Sequence, residues 1–156
     1  MTMPVFEKHD GPSNRGPQDT LVLNCTDTPL HHWRGNIEGL SLDINVNQCN
    51  CEPEFLVRND QLFIGAEQGI FIIDLSSGLI RNQILDVSHV QWFADGDQNH
   101  VIVAAEDELI GLDNFGQLQL RENFPDVIES IKFEAGKMQV LDMSGIGYEF
   151  DLKIEK

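Results

Sequence analysis

Basic residues are scarce. Ten Lys and Arg stand against 26 Asp and Glu in 156 residues, a formal net charge of −16. Such a surface repels nucleic acid and anionic membranes, so neither is expected as a partner. A basic protein is the partner class the charge favours. Long apolar runs are missing too. The longest hold about five residues, against the roughly 20 that a bilayer-spanning helix needs. The N-terminal stretch MTMPVFEKHDGPSNRGPQD contains no apolar h-region. No signal peptide is read there, and a cytoplasmic protein is expected. The three cysteines, Cys25, Cys49 and Cys51, are odd in number and argue against a disulfide framework.

Helical periodicity is also absent. No segment convincingly places apolar residues at i, i+3, i+4 and i+7; residues 126–133 come nearest, and their repeat partner reads as strand. Signatures of catalysis are equally thin. No serine lies in G-x-S-x-G, the elbow that presents a nucleophile between strand and helix. No glycine loop is built to cradle phosphate. The five histidines have so many carboxylates available that no His–carboxylate pair stands out. A non-enzymatic protein is the leading expectation.

What is present is a repeat of short strands. Hydrophobic residues make up 41% of the chain, enough for one globular domain with a real core. The centre of the pattern is Leu62 to Leu85, LFIGAEQGIFIIDLSSGLIRNQIL. An apolar run is followed by a Glu67-Gln68-Gly69 turn, a second run ending at Asp74, a Ser-Ser-Gly turn and a third run. Leu62 to Asp74 lies without gaps over Val101 to Asp113, an offset of 39 residues. Glu67 meets Glu106, Ile70 meets Leu109, and Asp74 meets Asp113. A partial third copy, Met138 to Asp151, closes the chain. Upstream, Leu40, Leu42, Ile44 and Val46 alternate with polar residues, the period of a half-buried strand. Residues 1–19 hold Pro4, Pro12 and Pro17 and read as a loose arm on which Val5 and Phe6 could still dock. Residues 20–156 read as a single β-repeat domain.

A period near 40 with about four strands per unit is the arithmetic of a β-propeller blade. The expected fold is therefore all-β, a propeller-like array of about three four-stranded antiparallel blades. Residues 62–124 resemble the blade repeat of quinoprotein-like (pyrroloquinoline-quinone-type) propellers. Gly65, Glu67, Gly69, Asp74 and Gly78 fill the places of the acidic-Gly turn, the terminal Asp and the Ser/Thr-Gly turn. The second copy keeps Glu106, Asp113 and Gly116 but has Glu108 where Gly69 stands, and the third-strand Trp of those blades is missing. The resemblance implies architecture only, and brings no quinone-binding residue with it.

Three constellations are candidates for function. Cys25, His31, Cys49 and Cys51 are zinc-type ligands, although Cys-x-Cys is not the usual Cys-x2-Cys hook; buried structural cysteines are the plainer account. Asp95, Asp97, Asn99 and Glu106 fall at positions 1, 3, 5 and 12 of a calcium loop, with His100 where the sharp turn wants glycine. No cofactor is expected beyond calcium or zinc at one of these two places. Finally, Glu67, Glu106, Asp107, Glu108 and Asp113 recur at blade turns and strand ends, where they would form an acidic face for a cationic partner. The expected function is a non-enzymatic acidic protein-binding module, of which an immunity- or antitoxin-like protein is one concrete form. The alternatives are a metal-dependent (calcium or zinc) hydrolytic enzyme, or a structural subunit that completes a propeller ring. A monomer or homodimer is expected.

Overall fold

The computed structural model describes residues 5–15, 20–48, 51–95, 99–134 and 136–151. They contain no helix, and so no helix long and apolar enough to cross a membrane. The described strands form four sheets, and the chain is an all-β, propeller-like array of blades. Contacts divide it into two compact units, Met1–Val87 and Ser88–Lys156.

The first unit holds two sheets. One comprises β1 (Glu7–Asp10), β2 (Leu21–Asn24), β3 (His31–Ile37) and β4 (Leu40–Val46), in the order β1-β3-β4-β2. Its core hairpin β3–β4 turns on Glu38 and Gly39, both at positive φ. β2 runs parallel to β4, a departure from a purely antiparallel blade. The second sheet is a plain meander, β5 (Glu54–Arg58), β6 (Gln61–Ala66), β7 (Gly69–Asp74) and β8 (Leu79–Ile84). Asn59 and Asp60 make the β5–β6 turn with φ of 52° and 59°, a two-residue geometry that short polar side chains tolerate.

The alternation over Leu40–Val46 sends Leu42, Ile44 and Val46 into one cluster with Leu62, Ile64, Ala66, Phe71 and Ile73 of the second sheet. Each of these side chains larger than alanine contributes roughly 1.5–3 kcal/mol by leaving water. Phe63, Ile70 and Ile72, on the opposite face of β6 and β7, are buried as well. Burial of both faces explains why these strands are nearly continuous apolar runs. Within the N-terminal arm, β1 pairs with β3, and Phe6 is buried while Val5 is exposed. Phe6 packs against β3 where Gly35 stands: a Cβ on Gly35 would come within 2.7 Å of the Phe6 ring.

The second unit repeats the meander in β9 (Val90–Asp95), β10 (His100–Ala105), β11 (Glu108–Asp113) and β12 (Leu118–Asn123). A three-stranded sheet follows, β13 (Ile128–Glu134), β14 (Lys137–Asp142) and β15 (Gly147–Asp151). Ile102, Ala104, Leu109, Phe124, Ile128, Met138 and Val140 form the cluster between these sheets.

One turn recurs three times. Asp74 accepts from Ser76 N and Oγ at 3.1 and 2.8 Å, and Gly78 N donates to the Asp74 carbonyl at 2.7 Å. Asp113 accepts from Phe115 N and Gln117 N, both at 2.9 Å, with Gly116 N on its carbonyl. Asp142 accepts from Ser144 N and Ile146 N, both at 3.0 Å, with Gly145 N on its carbonyl. The three glycines have φ between 72° and 87°, the left-handed region that a Cβ disfavours. In the last sheet this turn joins the second and third strands, β14 and β15, whereas in the two meanders it joins the third and fourth; Asp151 ends β15 as Asp74 ends β7 and Asp113 ends β11.

Candidate functional site

The acidic residues expected at blade turns divide into two kinds. Glu67, in the β6–β7 turn, uses both carboxylate oxygens to accept from the backbone N–H groups of Asn47 and Gln48, at 2.6 and 2.8 Å. Asp113 caps its own turn, as described. Glu108 is buried; it pairs with Arg121 on the neighbouring β12 and accepts from Ser88 N at 3.0 Å. Glu67 and Glu108 spend both oxygens on these bonds, whereas Asp113 spends only Oδ1. Glu106 and Asp107, in the two-residue β10–β11 turn, are exposed. Phe124 N donates to the Asp107 carbonyl at 2.8 Å and Ile128 N to the Glu106 carbonyl at 2.9 Å. These bonds lay the segment carrying Asp126 and Glu129 alongside the acidic turn. Glu129 is exposed and Asp126 half-buried.

The two metal constellations are not assembled by the described residues, among which no group of three or more His, Cys, Asp or Glu could hold a metal ion. Cys49 and Asp97 lie outside the described residues. Cys25 is buried, Cys51 is exposed, and His31 instead faces Asp10 across the β1–β3 pair, Nδ1 to Oδ1 3.4 Å. In the calcium set, Asn99 and Glu106 flank β10, and an extended strand of six residues holds them roughly 20 Å apart. The Cys25 thiol is pushed up to about 12, by burial first and by the nearby Glu67 carboxylate second, so it is a packing group and not a ready thiolate.

The most developed polar arrangement lies on the first sheet, where the sequence marks nothing. Alternation along β4 turns Asp43 and Asn45 away from the Leu42–Ile44–Val46 core. Both are nevertheless buried, because arm residues 11–15 lie over them. Ser13 Oγ donates to Asp43 Oδ2 at 2.5 Å, and Ser13 N donates to Asn45 Oδ1 at 2.7 Å. Arg15 grips the Asp43 carboxylate with Nε, at 2.9 Å, and with Nη2. Arg34, the register partner of Asp43 on β3, grips it from the other side with Nε at 3.1 Å and Nη2 at 3.3 Å. Asn45 Nδ2 donates to Asn24 Oδ1 at 2.8 Å. Burial alone would push the Asp43 carboxyl up. The hydrogen bonds from Arg15, Arg34 and Ser13 outweigh burial and hold it well below the usual carboxylate range.

Beside this cluster, His9 and His32 stack with ring centroids 4.9 Å apart and planes 9° from parallel. His32 Nδ1 is 2.9 Å from the Gly11 carbonyl and its Nε2 is 3.5 Å from Arg34 Nη2. A carbonyl only accepts and a guanidinium only donates, so these partners suit the tautomer with hydrogen on Nδ1. Its contacts are those of a carboxylate and a side-chain amide with guanidinium, hydroxyl and backbone N–H donors.

No protein-family model and no curated protein matches the chain. Two computationally designed proteins resemble it in structure. Ika4 superposes with a TM-score of 0.57 at 14% identity, over 93% of this chain and 99% of that one. Ika8 superposes with a TM-score of 0.56 at 16% identity, over 77% of this chain and 40% of that one. BamB from Moraxella catarrhalis aligns over 77% of this chain and 37% of its own, at 11% identity and a TM-score of 0.47. At these identities the likeness to Ika4 and Ika8 is one of fold alone.

Proposed function

We propose that the protein is a non-enzymatic binding module whose acidic turn edge in the second unit docks a basic protein. The observation that carries this reading is the pair of backbone hydrogen bonds from Phe124 and Ile128 to the Glu106–Asp107 turn. They bring the segment of Asp126 and Glu129 beside the exposed Glu106 and Asp107, on a chain of net charge −16, with Asp126 Oδ1 also accepting from Val127 N at 2.8 Å. Converging negative charge raises the rate of encounter with a cationic partner and rejects anionic ones. An immunity- or antitoxin-like protein that masks a cationic enzyme is one form such a module takes. The quinoprotein-like resemblance enters as architecture: blade turns are exposed, variable and suited to docking. A cytoplasmic setting belongs to the same proposal.

The test is capture from the native host by the full chain, repeated with Glu106→Lys/Asp107→Lys and across a salt series. The expected result is a basic captured protein whose recovery falls steeply with salt and is lost in the double variant, with the melting temperature unchanged. Recovery indifferent to both salt and charge reversal refutes the reading. Stoichiometric zinc or calcium in the purified protein, with a melting point that falls on chelation, would favour the metal-dependent hydrolase instead.

A further inference from the structure

The last sheet is one strand short of the two meanders. There the third strand, β7 or β11, lies between a second and a fourth, and is buried all along except at its closing aspartate. In the last sheet β15 stands in the third place. No described strand lies beyond it, and none of its residues is buried. The ladder shows which groups its open edge presents. Asp142 N donates to the Ile146 carbonyl at 3.0 Å, and hydrogen-bonded pairs recur at every second residue of an antiparallel ladder. In the β14–β15 register they fall at Val140–Tyr148 and Met138–Phe150. The N–H and C=O groups of Gly147, Glu149 and Asp151 therefore point away from β14, a row of donors and acceptors open to another strand. The edge is already formed. Tyr148 and Phe150 hold it from one face by packing edge-on against Phe124, with ring centroids 4.8 and 6.0 Å apart.

We propose that the open edge of β15 takes a fourth strand from a partner protein, an extended segment in which Lys or Arg alternates with apolar residues. Main-chain bonds to Gly147, Glu149 and Asp151 would supply affinity, and the side chains on either face selectivity. The charge of the segment follows from the other blades. Arg81 of the fourth strand β8 pairs with Asp74 of β7 at 3.3 Å, and Arg121 of the fourth strand β12 pairs with Glu108 of β11. In both meanders the fourth strand thus brings a cation to a carboxylate of the third. On β15, Glu149 and Asp151 share one face and lack that cation. Lys137 reaches Glu149 from β14 at 3.0 Å, but the two side chains are 51% and 50% exposed. Such a pair is weak, and one lysine does not balance two carboxylates. A second copy fits poorly, because pairing two β15 strands sets like charges opposite each other. The inference goes beyond the docking edge proposed above. It uses neither Glu106 nor Asp107, so either can fail alone.

The test uses the full chain and two synthetic peptides in excess. One is an alternating Lys-Val-Lys-Val-Lys-Val-Lys strand. The other has the same sequence with every backbone nitrogen methylated, which keeps the charge and cannot pair. Amide hydrogen exchange followed by NMR is read at Gly147 and residue 149. The first peptide is expected to slow exchange there at least about tenfold, and the methylated one to leave it unchanged. Glu149→Lys/Asp151→Lys is expected to lose the protection, and Glu106→Lys/Asp107→Lys to keep it. If the first of these variants does not fold, the comparison of the two peptides on the parent decides alone. No slowing with the first peptide, equal slowing with both, or protection lost in Glu106→Lys/Asp107→Lys overturns the proposal. So does slow exchange at these amides in the chain alone, because the edge is then already filled by the chain itself or by a second copy.

Discussion

Replacing Asp43 by Asn tests whether the arginine clasp matters for stability. The substitution keeps the volume and removes the charge. It also turns an amide N–H₂ toward groups that can only donate: the Ser13 hydroxyl as it is now placed, Arg15 and Arg34. Deleting one member of a fully buried ion pair costs about 3–5 kcal/mol. Here the carboxylate is 0% exposed but the two arginine side chains are 31% and 30% exposed, and they recover hydration when released. The expected loss is therefore smaller, about 2–3 kcal/mol. For a chain of this size each kcal/mol moves the melting temperature by roughly 2–4 °C, giving a fall of roughly 4–12 °C at pH 7. Thermal melts followed by far-ultraviolet circular dichroism read it directly. The same experiment has a pH arm. The Asp43 carboxyl is depressed in the folded state, so its stabilisation is complete above its unfolded value, near 3.9, and is lost as pH falls below that. The gap between parent and Asp43→Asn should thus be constant from pH 7 to 5 and shrink toward pH 3. A parent and variant that melt within about 1 °C of each other at pH 7 would refute the argument, as would a gap that widens in acid.

Other outcomes follow from single features. Gly35→Ala drives a methyl into the Phe6 ring; limited proteolysis should then cleave the arm far faster, at a cost of about 1–3 kcal/mol for the overpacked contact. Gly145→Ala has open space around it but φ of +87°, and should lower stability by about 1 kcal/mol from backbone conformation alone. Gly147→Ala, equally open and without the positive φ, should melt like the parent, and equal effects at the two sites would contradict this. Peptide mapping after brief alkylation at pH 8 should find Cys51 modified and Cys25 untouched until the protein is unfolded.

Local pattern carried most of the strand layout. The alternation over Leu40–Val46 is β4 residue for residue, and LFIGAEQGIFIIDLSSGLIRNQIL contains all of β6 but Gln61, with β7, β8 and both turns where the apolar runs and glycines put them. What escaped were pairings between residues far apart in the chain. The parallel contact of β2 with β4 and the addition of β1 to β3 leave no periodic trace, since a strand's own alternation does not say which edge it joins. The Asp43 cluster was hidden for the same reason. Asp43 stands at an ordinary polar position of an alternating strand, and nothing near it announces that Ser13 and Arg15 will cover it. The acidic turns are told apart by such partners too. Glu67, Glu108 and Asp113 look alike in the repeat, but Glu67 and Glu108 spend both oxygens on backbone N–H groups and Arg121, Asp113 spends Oδ1 on its own turn, and Glu106 and Asp107 are exposed.

The thrice-used turn at Asp74, Asp113 and Asp142 is closed in part by donors within four residues of its aspartate. In two of the three copies it also reaches outward: Leu75 N donates to the Asp60 carbonyl at 2.9 Å and Met143 N to the Val127 carbonyl at 2.8 Å. Those corners are stitched to the segment beside them, so cutting the chain at one would loosen its neighbour as well.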